Sequence, residues 1–118
     1  MNNAKLAIVV SILSGKRFSI FNEKTTQGEI EKVLTGQVQF EREKMLDRKS
    51  IIDFLVAGEV GLEVKISGSP KNIYRQCERY CKFPEIKYLV LVTAKSMSLP
   101  SLINNKPCFV LNISRSWL

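Results

Sequence analysis

Two apolar runs near the middle of the chain have the composition of paired β-strands. Residues 50–56 and 60–66 are rich in β-branched side chains, and the Ala57-Gly58-Glu59 segment between them suits a turn. A hairpin centred on Gly58 places position 53 opposite position 63. Because side chains alternate along a strand, Glu63 and Lys65 would share one face and leave the other face to the core.

Asp53 interrupts the apolar run of the first strand, where an acid is costly to bury without a cation or a partner. Cross-strand Cβ atoms lie roughly 5 Å apart, so the Asp53 and Glu63 carboxylates could share one cation. Mg²⁺ suits such an oxygen-rich site, and Lys65 beside it could orient a water molecule or neutralise developing charge. The pattern therefore favours phosphodiester hydrolysis. The alternative is an ordinary solvated face, where cross-strand charges contribute little.

The remaining pattern predicts an α/β sandwich with a mixed sheet. The N-terminal apolar run at 6–13 and the segment at 17–21 form either two short strands or a helix followed by a strand. After them the predicted order is helix, three strands, helix, strand, strand. The first of these helices covers 25–34, with Thr25 or Thr26 as N-cap and Gly36 just past its end. The other predicted elements are a strand at 38–45, the hairpin, a helix at about 70–82, a central strand at 86–94 and a last strand at 107–114.

The helix after the hairpin has two faces of different chemistry. Ser69 is predicted as its N-cap, with Pro70 at its first position. Gln76 and Tyr80 lie on its mainly apolar side, where they could hold the lysine or a substrate phosphate, or simply border the core. A separate basic stripe could contact a nucleic-acid backbone or be a solvated surface, and it consists of Lys71, Arg75, Arg79 and Lys82.

Composition narrows the chemistry. The 118 residues fit one domain, and the net charge of +7 favours a polyanionic partner, of which nucleic acid is the commonest. The absence of histidine excludes Ser/His and Cys/His catalysis and the usual zinc sites. Three cysteines without framework spacing indicate free thiols in a reducing cytoplasm, with Cys77 and Cys81 packed in the interior. The 6–13 run is too short to span a bilayer and lacks a convincing signal-peptide cleavage site.

The order of these motifs resembles the PD-(D/E)XK nuclease superfamily. The relevant residues are a helix with acids, Asp53, nine intervening residues, Glu63-Val64-Lys65, and then Gln76-Cys77-Glu78-Arg79-Tyr80 before a hydrophobic strand. The resemblance covers about residues 25–94, with 1–24 and 95–118 as extensions of the same domain. It implies a restriction-endonuclease-like αβββαβ core with a central mixed sheet flanked by helices. Ile52 stands where the motif name has proline.

The resemblance also implies residue roles. Asp53 and Glu63 would be metal ligands with the Val64 carbonyl as a third oxygen, and Lys65 would assist the attacking water. Gln76 and Tyr80 would match the helix motif of virus-type replication-repair nucleases. A further ligand from the first helix would be Glu29 in preference to Glu31, although one alignment to Holliday-junction resolvases places Gln27 there.

These inferences lead to one expected function and one alternative. The expected function is a Mg²⁺-dependent DNA endonuclease of the cytoplasm, structure-selective in recombination, repair or phage replication, with Mn²⁺ able to substitute and no organic cofactor. We expect a homodimer, because cutting two strands symmetrically needs two sites, with the N-terminal apolar run as a candidate interface. The alternative is a basic nucleic-acid-binding domain without catalysis.

Overall fold

The computed structural model describes residues 4–114, which form three helices and six strands. The helices are α1 (Ala4–Leu13), α2 (Glu23–Leu34) and α3 (Pro70–Tyr80). The strands are β1 (Phe40–Asp47), β2 (Ser50–Val56), β3 (Val60–Lys65), β4 (Tyr88–Thr93), β5 (Leu102–Ile103) and β6 (Lys106–Asn112). The predicted order is therefore confirmed, with β5 as an added short strand within the predicted connection.

The strands form one mixed sheet in the order β1-β2-β3-β4-β6-β5. The first three strands pair antiparallel as a meander, β3, β4 and β6 pair parallel, and β5 pairs antiparallel with β6. Parallel neighbours need a crossover, and α3 supplies it between β3 and β4. The predicted α/β class with a mixed sheet is confirmed.

Each face of the sheet is covered by its own apolar cluster. On one face α1 and α2 contribute Leu6, Val9, Ile30 and Leu34. On the other face α3 contributes Ile73, Cys77 and Tyr80. Strand β4 contributes to both clusters, Val90 and Val92 to the first and Leu89 and Leu91 to the second, which confirms its prediction as a central strand covered on both sides.

The two longer helices begin at side-chain caps. Ser69 accepts the N–H of Asn72 and precedes Pro70, as predicted, and α3 ends at Tyr80, two residues earlier than expected. The N-cap of α2 is Asn22, whose side chain accepts the N–H of Thr25. The prediction of Thr25 or Thr26 was wrong, because Asn22 in extended backbone already supplies the acceptor and the helix starts two residues earlier.

The N-terminal run forms a helix, and the strand predicted after it does not form. Leu6, Val9 and Leu13 pack into the chain's own core, while Ile8 stays 49% exposed. Residues 16–20 have no strand pairing, although Phe18 is buried among the same apolar side chains. No helix within residues 4–114 has the length and hydrophobicity needed to cross a bilayer. The first three and last four residues of the predicted extensions lie outside the described part of the chain.

Candidate active site

The β2–β3 hairpin brings Asp53 and Glu63 together. Its pairs run from Val56↔Val60 to Phe54↔Leu62, and one further step in the same register sets position 53 opposite position 63. The turn contains Ala57 and Gly58 with φ angles of 53° and 71°, a left-handed conformation that matches the twist of a hairpin. The register expected from a turn centred on Gly58 is therefore present.

At Asp53 the side chains take over hydrogen bonds that strand backbones usually make. Oδ2 of Asp53 accepts the N–H of Val64 at 2.8 Å, and Oε1 of Glu63 accepts the N–H of Asp53 at 3.2 Å. Each carboxylate thereby has one oxygen fixed by the opposite strand. The second oxygen of each, Oδ1 of Asp53 and Oε2 of Glu63, remains for other contacts.

The two carboxylates lie in a desolvated, mutually repulsive setting. Glu63 is 2% exposed, and burial together with the charge of Asp53 raises its pKa from 4.5 to about 7. Burial is also the main reason that the pKa of Asp53 is raised, and it is opposed by the Val64 N–H and by Lys65. Ionising both groups therefore costs free energy that a nearby cation would recover.

Lys65 is the cation at this pair. Its Nζ lies 3.2 Å from Oε2 of Glu63, and its side chain is 19% exposed. Gly61, Glu63 and Lys65 alternate with Leu62 and Val64, whose side chains pack in the opposite core. Val64 thus contributes its backbone to the site and its side chain to the interior, as the alternation predicts.

Helix α3 adds Tyr80 and Gln76. The Tyr80 hydroxyl lies 2.9 Å from the carbonyl oxygen of Ile51 and 3.3 Å from Oε2 of Glu63, and it accepts a 2.8 Å hydrogen bond from Nε2 of Gln76. Burial and the charge of Glu63 raise the pKa of Tyr80, so its hydroxyl keeps its proton. The two α3 residues therefore hold Glu63 and strand β2 in a fixed relation.

The acid that α2 brings to the site is Glu23. Its Oε2 accepts the N–H of Ile66 at 3.3 Å, directly after Lys65, and its charge is one of the influences that raise the pKa of Asp53. Glu29 lies elsewhere, because its Oε1 accepts the N–H of Ser19 at 2.7 Å. The structure thus does not bring Glu29 to the carboxylate pair.

Gln27 and Glu31, the other α2 residues considered as a metal ligand, both bind Arg42. Nη1 of Arg42 lies 2.6 Å from Oε1 of Glu31, and Nη2 donates to Oε1 of Gln27 at 3.1 Å. The guanidinium lies 4.9 Å from the centre of the Phe54 ring and lowers the pKa of Asp53. Arg42 therefore links α2 to the strand that carries Asp53.

Sequence reasoning missed both Glu23 and Arg42. The signal for Glu23 was Asn22, since an N-cap there puts Glu23 in the first helical turn, where an acid also complements the helix dipole. Arg42 had no comparable signal, because it lies in an alternating strand of charged residues and its partners, on the preceding helix, are 11 and 15 residues away.

The predicted basic stripe is exposed, with Lys71, Arg75 and Arg79 on α3 and Lys82 two residues past its end. All four side chains point to solvent, and Arg79 lies 5.6 Å from the centre of the Tyr80 ring. These positive charges therefore lie on the solvent side of the helix whose inner side holds Glu63. Their contact with nucleic acid stays a prediction.

The donor set suits a hard divalent cation. Among residues 4–114 no three His, Cys, Asp or Glu side chains gather as a metal-binding group, so a cation here would take two carboxylates and complete its shell with backbone oxygen and water. Oδ1 of Asp53 accepts no hydrogen bond from any described residue and is available for this role. Mg²⁺ commonly binds in this way, through one or two carboxylates and several waters.

Comparison with known proteins finds no family model, curated protein or solved structure that matches this chain. The case for a function therefore rests on the geometry of its own residues.

Proposed function

We propose that this protein is a Mg²⁺-dependent DNA endonuclease that hydrolyses phosphodiester bonds at the site formed by Asp53, Glu63 and Lys65. The observation that carries the proposal is the meeting of a buried carboxylate, Glu63, a half-buried one, Asp53, and a lysine at one hairpin, where the two carboxylates repel each other. A structural role would not require this arrangement, because a buried carboxylate pair reduces stability unless a cation relieves it.

Each residue of the site would have a separate role. Asp53 and Glu63 would hold the cation, which would polarise a phosphate oxygen and lower the pKa of a bound water. Lys65 places a positive charge 3.2 Å from Glu63, where it would neutralise charge developing on the phosphate. Tyr80 and Gln76 position Glu63, and Glu23 adds negative charge from the α2 side.

Two further features support the proposal. The succession α2-β1-β2-β3-α3-β4 has the element order of the αβββαβ core, with Asp53 on its second strand and Glu63 and Lys65 on its third. The net charge of +7 and the exposed basic stripe on α3 suit a polyanionic substrate. Structure-selective cutting in recombination, repair or phage replication, by a homodimer in the cytoplasm, is the biological setting that we propose.

The test is cleavage of end-labelled DNA. Wild type, Asp53→Asn and Lys65→Met are incubated with four-way junction, single-stranded and duplex DNA in Mg²⁺, in Mn²⁺ and in chelator. We expect cleavage by wild type in either metal, none in chelator, and a loss of at least 100-fold in both variants. Lys87→Met, an exposed lysine near the start of β4, is the matched control and should cut normally. Full cleavage by both site variants would refute the assignment.

One observation favours the alternative of a binding domain without catalysis. Oε2 of Glu63 already has Lys65 and Tyr80 within hydrogen-bonding distance, so the protein itself partly compensates this charge. That alternative predicts salt-sensitive DNA binding that is unchanged by Mg²⁺ and by Glu63→Ala. Binding without cutting on any of the substrates, in either metal, would establish it over the nuclease.

A further inference from the structure

Phe21 is a large apolar side chain that the fold leaves in solvent. It is 89% exposed, more than any other large apolar side chain among the described residues, and its neighbour Ile20 is 40% exposed. Leaving a phenylalanine in water forgoes the stabilisation that its burial would give. An exposed aromatic side chain is therefore a candidate for contact with a partner.

The backbone around Phe21 is held in place. Oγ1 of Thr26 donates to the carbonyl oxygen of Ser19 at 2.6 Å, and the Ser19 N–H donates to Glu29 at 2.7 Å. On the other side of Phe21, the Asn22 side chain caps α2 at 2.8 Å. Phe21 is thus presented from a fixed segment, which lowers the conformational entropy lost when it binds. This anchoring also gives Glu29 a function outside the carboxylate pair.

Phe21 is close in the chain to Glu23, the α2 acid at the proposed catalytic site. It precedes Glu23 by two residues, so their Cα atoms are at most about 7.6 Å apart. Glu23 in turn binds the N–H of Ile66, the residue that follows Lys65. A DNA strand bound at Lys65 that continues past the N-terminus of α2 would therefore come within reach of the aromatic ring.

The charge around Phe21 fits a nucleic-acid strand. Lys24, in the first turn of α2, and Lys16, at the start of the segment, are both exposed. Exposed aromatic rings beside basic side chains are the combination by which proteins bind single strands, with the ring stacking on a base and the cations contacting phosphates. A second copy of this chain would bring the same positive charges against one another.

We propose that Phe21 stacks on an unpaired base of the DNA strand that enters the site. The inference rests on the proposed function for the identity of the substrate and adds its class, DNA with single-stranded character near the cut. In continuous duplex the base faces are occupied by neighbouring bases, so the ring would have no equivalent contact. Phe21 would then favour branched or single-stranded DNA over duplex.

The experiment measures binding in chelator, where no cleavage occurs. Fluorescence anisotropy of a labelled 20-mer oligothymidylate and of a 20-base-pair duplex is recorded for wild type, Phe21→Ala, Phe21→Tyr and Phe109→Ala. Phe109 is the matched control, an exposed phenylalanine on β6 towards the other edge of the sheet. Because Phe21 is almost fully exposed, its substitution should leave the unfolding transition unchanged.

We expect Phe21→Ala to bind the single strand roughly 5- to 150-fold more weakly, the range that alanine substitution of a stacking aromatic gives. Duplex binding should change less than about twofold, and Phe21→Tyr and Phe109→Ala should bind like wild type. Three binding results would overturn the inference: no single-strand binding by wild type, equal losses on both DNAs, or unchanged binding by Phe21→Ala. So would sedimentation that shows a dimer of wild type and a monomer of Phe21→Ala.

The outcome is separable from that of the nuclease proposal. Loss of single-strand binding in Phe21→Ala, together with no cutting by wild type, would retain the stacking and reject the catalysis. Cutting that depends on Lys65, together with normal binding by Phe21→Ala, would retain the catalysis and reject the stacking.

Discussion

Replacing Glu63 by glutamine should make the protein more stable at alkaline pH. The carboxylate is 2% exposed and faces Asp53, so its ionised form is disfavoured in the folded state. Glutamine has nearly the same shape and carries no charge. The substitution therefore removes the cost of ionisation while keeping most of the packing.

The size and the sign follow from the pKa. Folding raises the pKa of Glu63 from 4.5 to about 7, so over that interval the folded protein holds a proton that the unfolded chain has released. Stability is therefore lost as the pH rises from about 4.5 to 7 and stays low above it. The interval of 2.5 pH units, at 1.36 kcal/mol per unit, corresponds to about 3 kcal/mol. The glutamine variant escapes this loss.

Urea unfolding at pH 4.5 and pH 8 measures the effect. We subtract the unfolding free energy of wild type from that of Glu63→Gln at each pH. This difference should be about 3 kcal/mol larger at pH 8 than at pH 4.5, which corresponds to a midpoint shift of about 1–3 M urea. Glu78→Gln, an exposed glutamate of α3, is the control and should show no such pH dependence. A glutamine variant whose difference from wild type is the same at both pH values would refute the reasoning.

Two further predictions concern packing and the α3 contacts. Gly61→Ala should lower the free energy of unfolding by about 1–3 kcal/mol in urea unfolding, since a Cβ there would lie 2.7 Å from Ile52 and 2.9 Å from Ile86. Gly28→Ala, in open space within α2, should raise it by about 0.5–1 kcal/mol. Equal changes in the free energy of unfolding for Gly61→Ala and Gly28→Ala would contradict this packing argument. Tyr80→Phe should cost about 1–3 kcal/mol, because its hydroxyl contacts three partners in a buried setting, and an unfolding midpoint equal to that of wild type would contradict this.

The parts of the fold set by local chemistry were predictable. Alternation and the Gly58 turn fixed the hairpin register, because moving a strand by one residue would send its apolar side chains to solvent. Ser69 and Pro70 marked the start of α3 for an equally local reason: the Ser69 side chain accepts a backbone N–H of the first turn, and Pro70 has no N–H that would need an acceptor. The same spacing put Gln76 and Tyr80 on the inner side of that helix.

The errors arose where distant contacts decide. Residues 17–21 have strand composition, but Ser19 is hydrogen-bonded to Thr26 and Glu29 of α2, and the segment does not join the sheet, in which β1 is an edge strand. Glu29 and Glu23 lie six residues apart, about 240° around the helix, so they face different neighbours. Glu29 contacts Ser19, whereas Glu23, which lies in the helix only because α2 begins there and not at Thr25, contacts Ile66.

Periodicity, turn residues and caps act within a few residues of one another, and they were enough to predict the α/β class of the fold and its mixed sheet. The sequence also placed Asp53, Glu63 and Lys65 on one hairpin for that reason. Only the tertiary structure decided which α2 acid reaches them, how Arg42 joins α2 to the sheet, and that Phe21 remains in solvent. Those facts depend on how helices pack across the sheet, and packing sums many contacts between residues far apart in the chain.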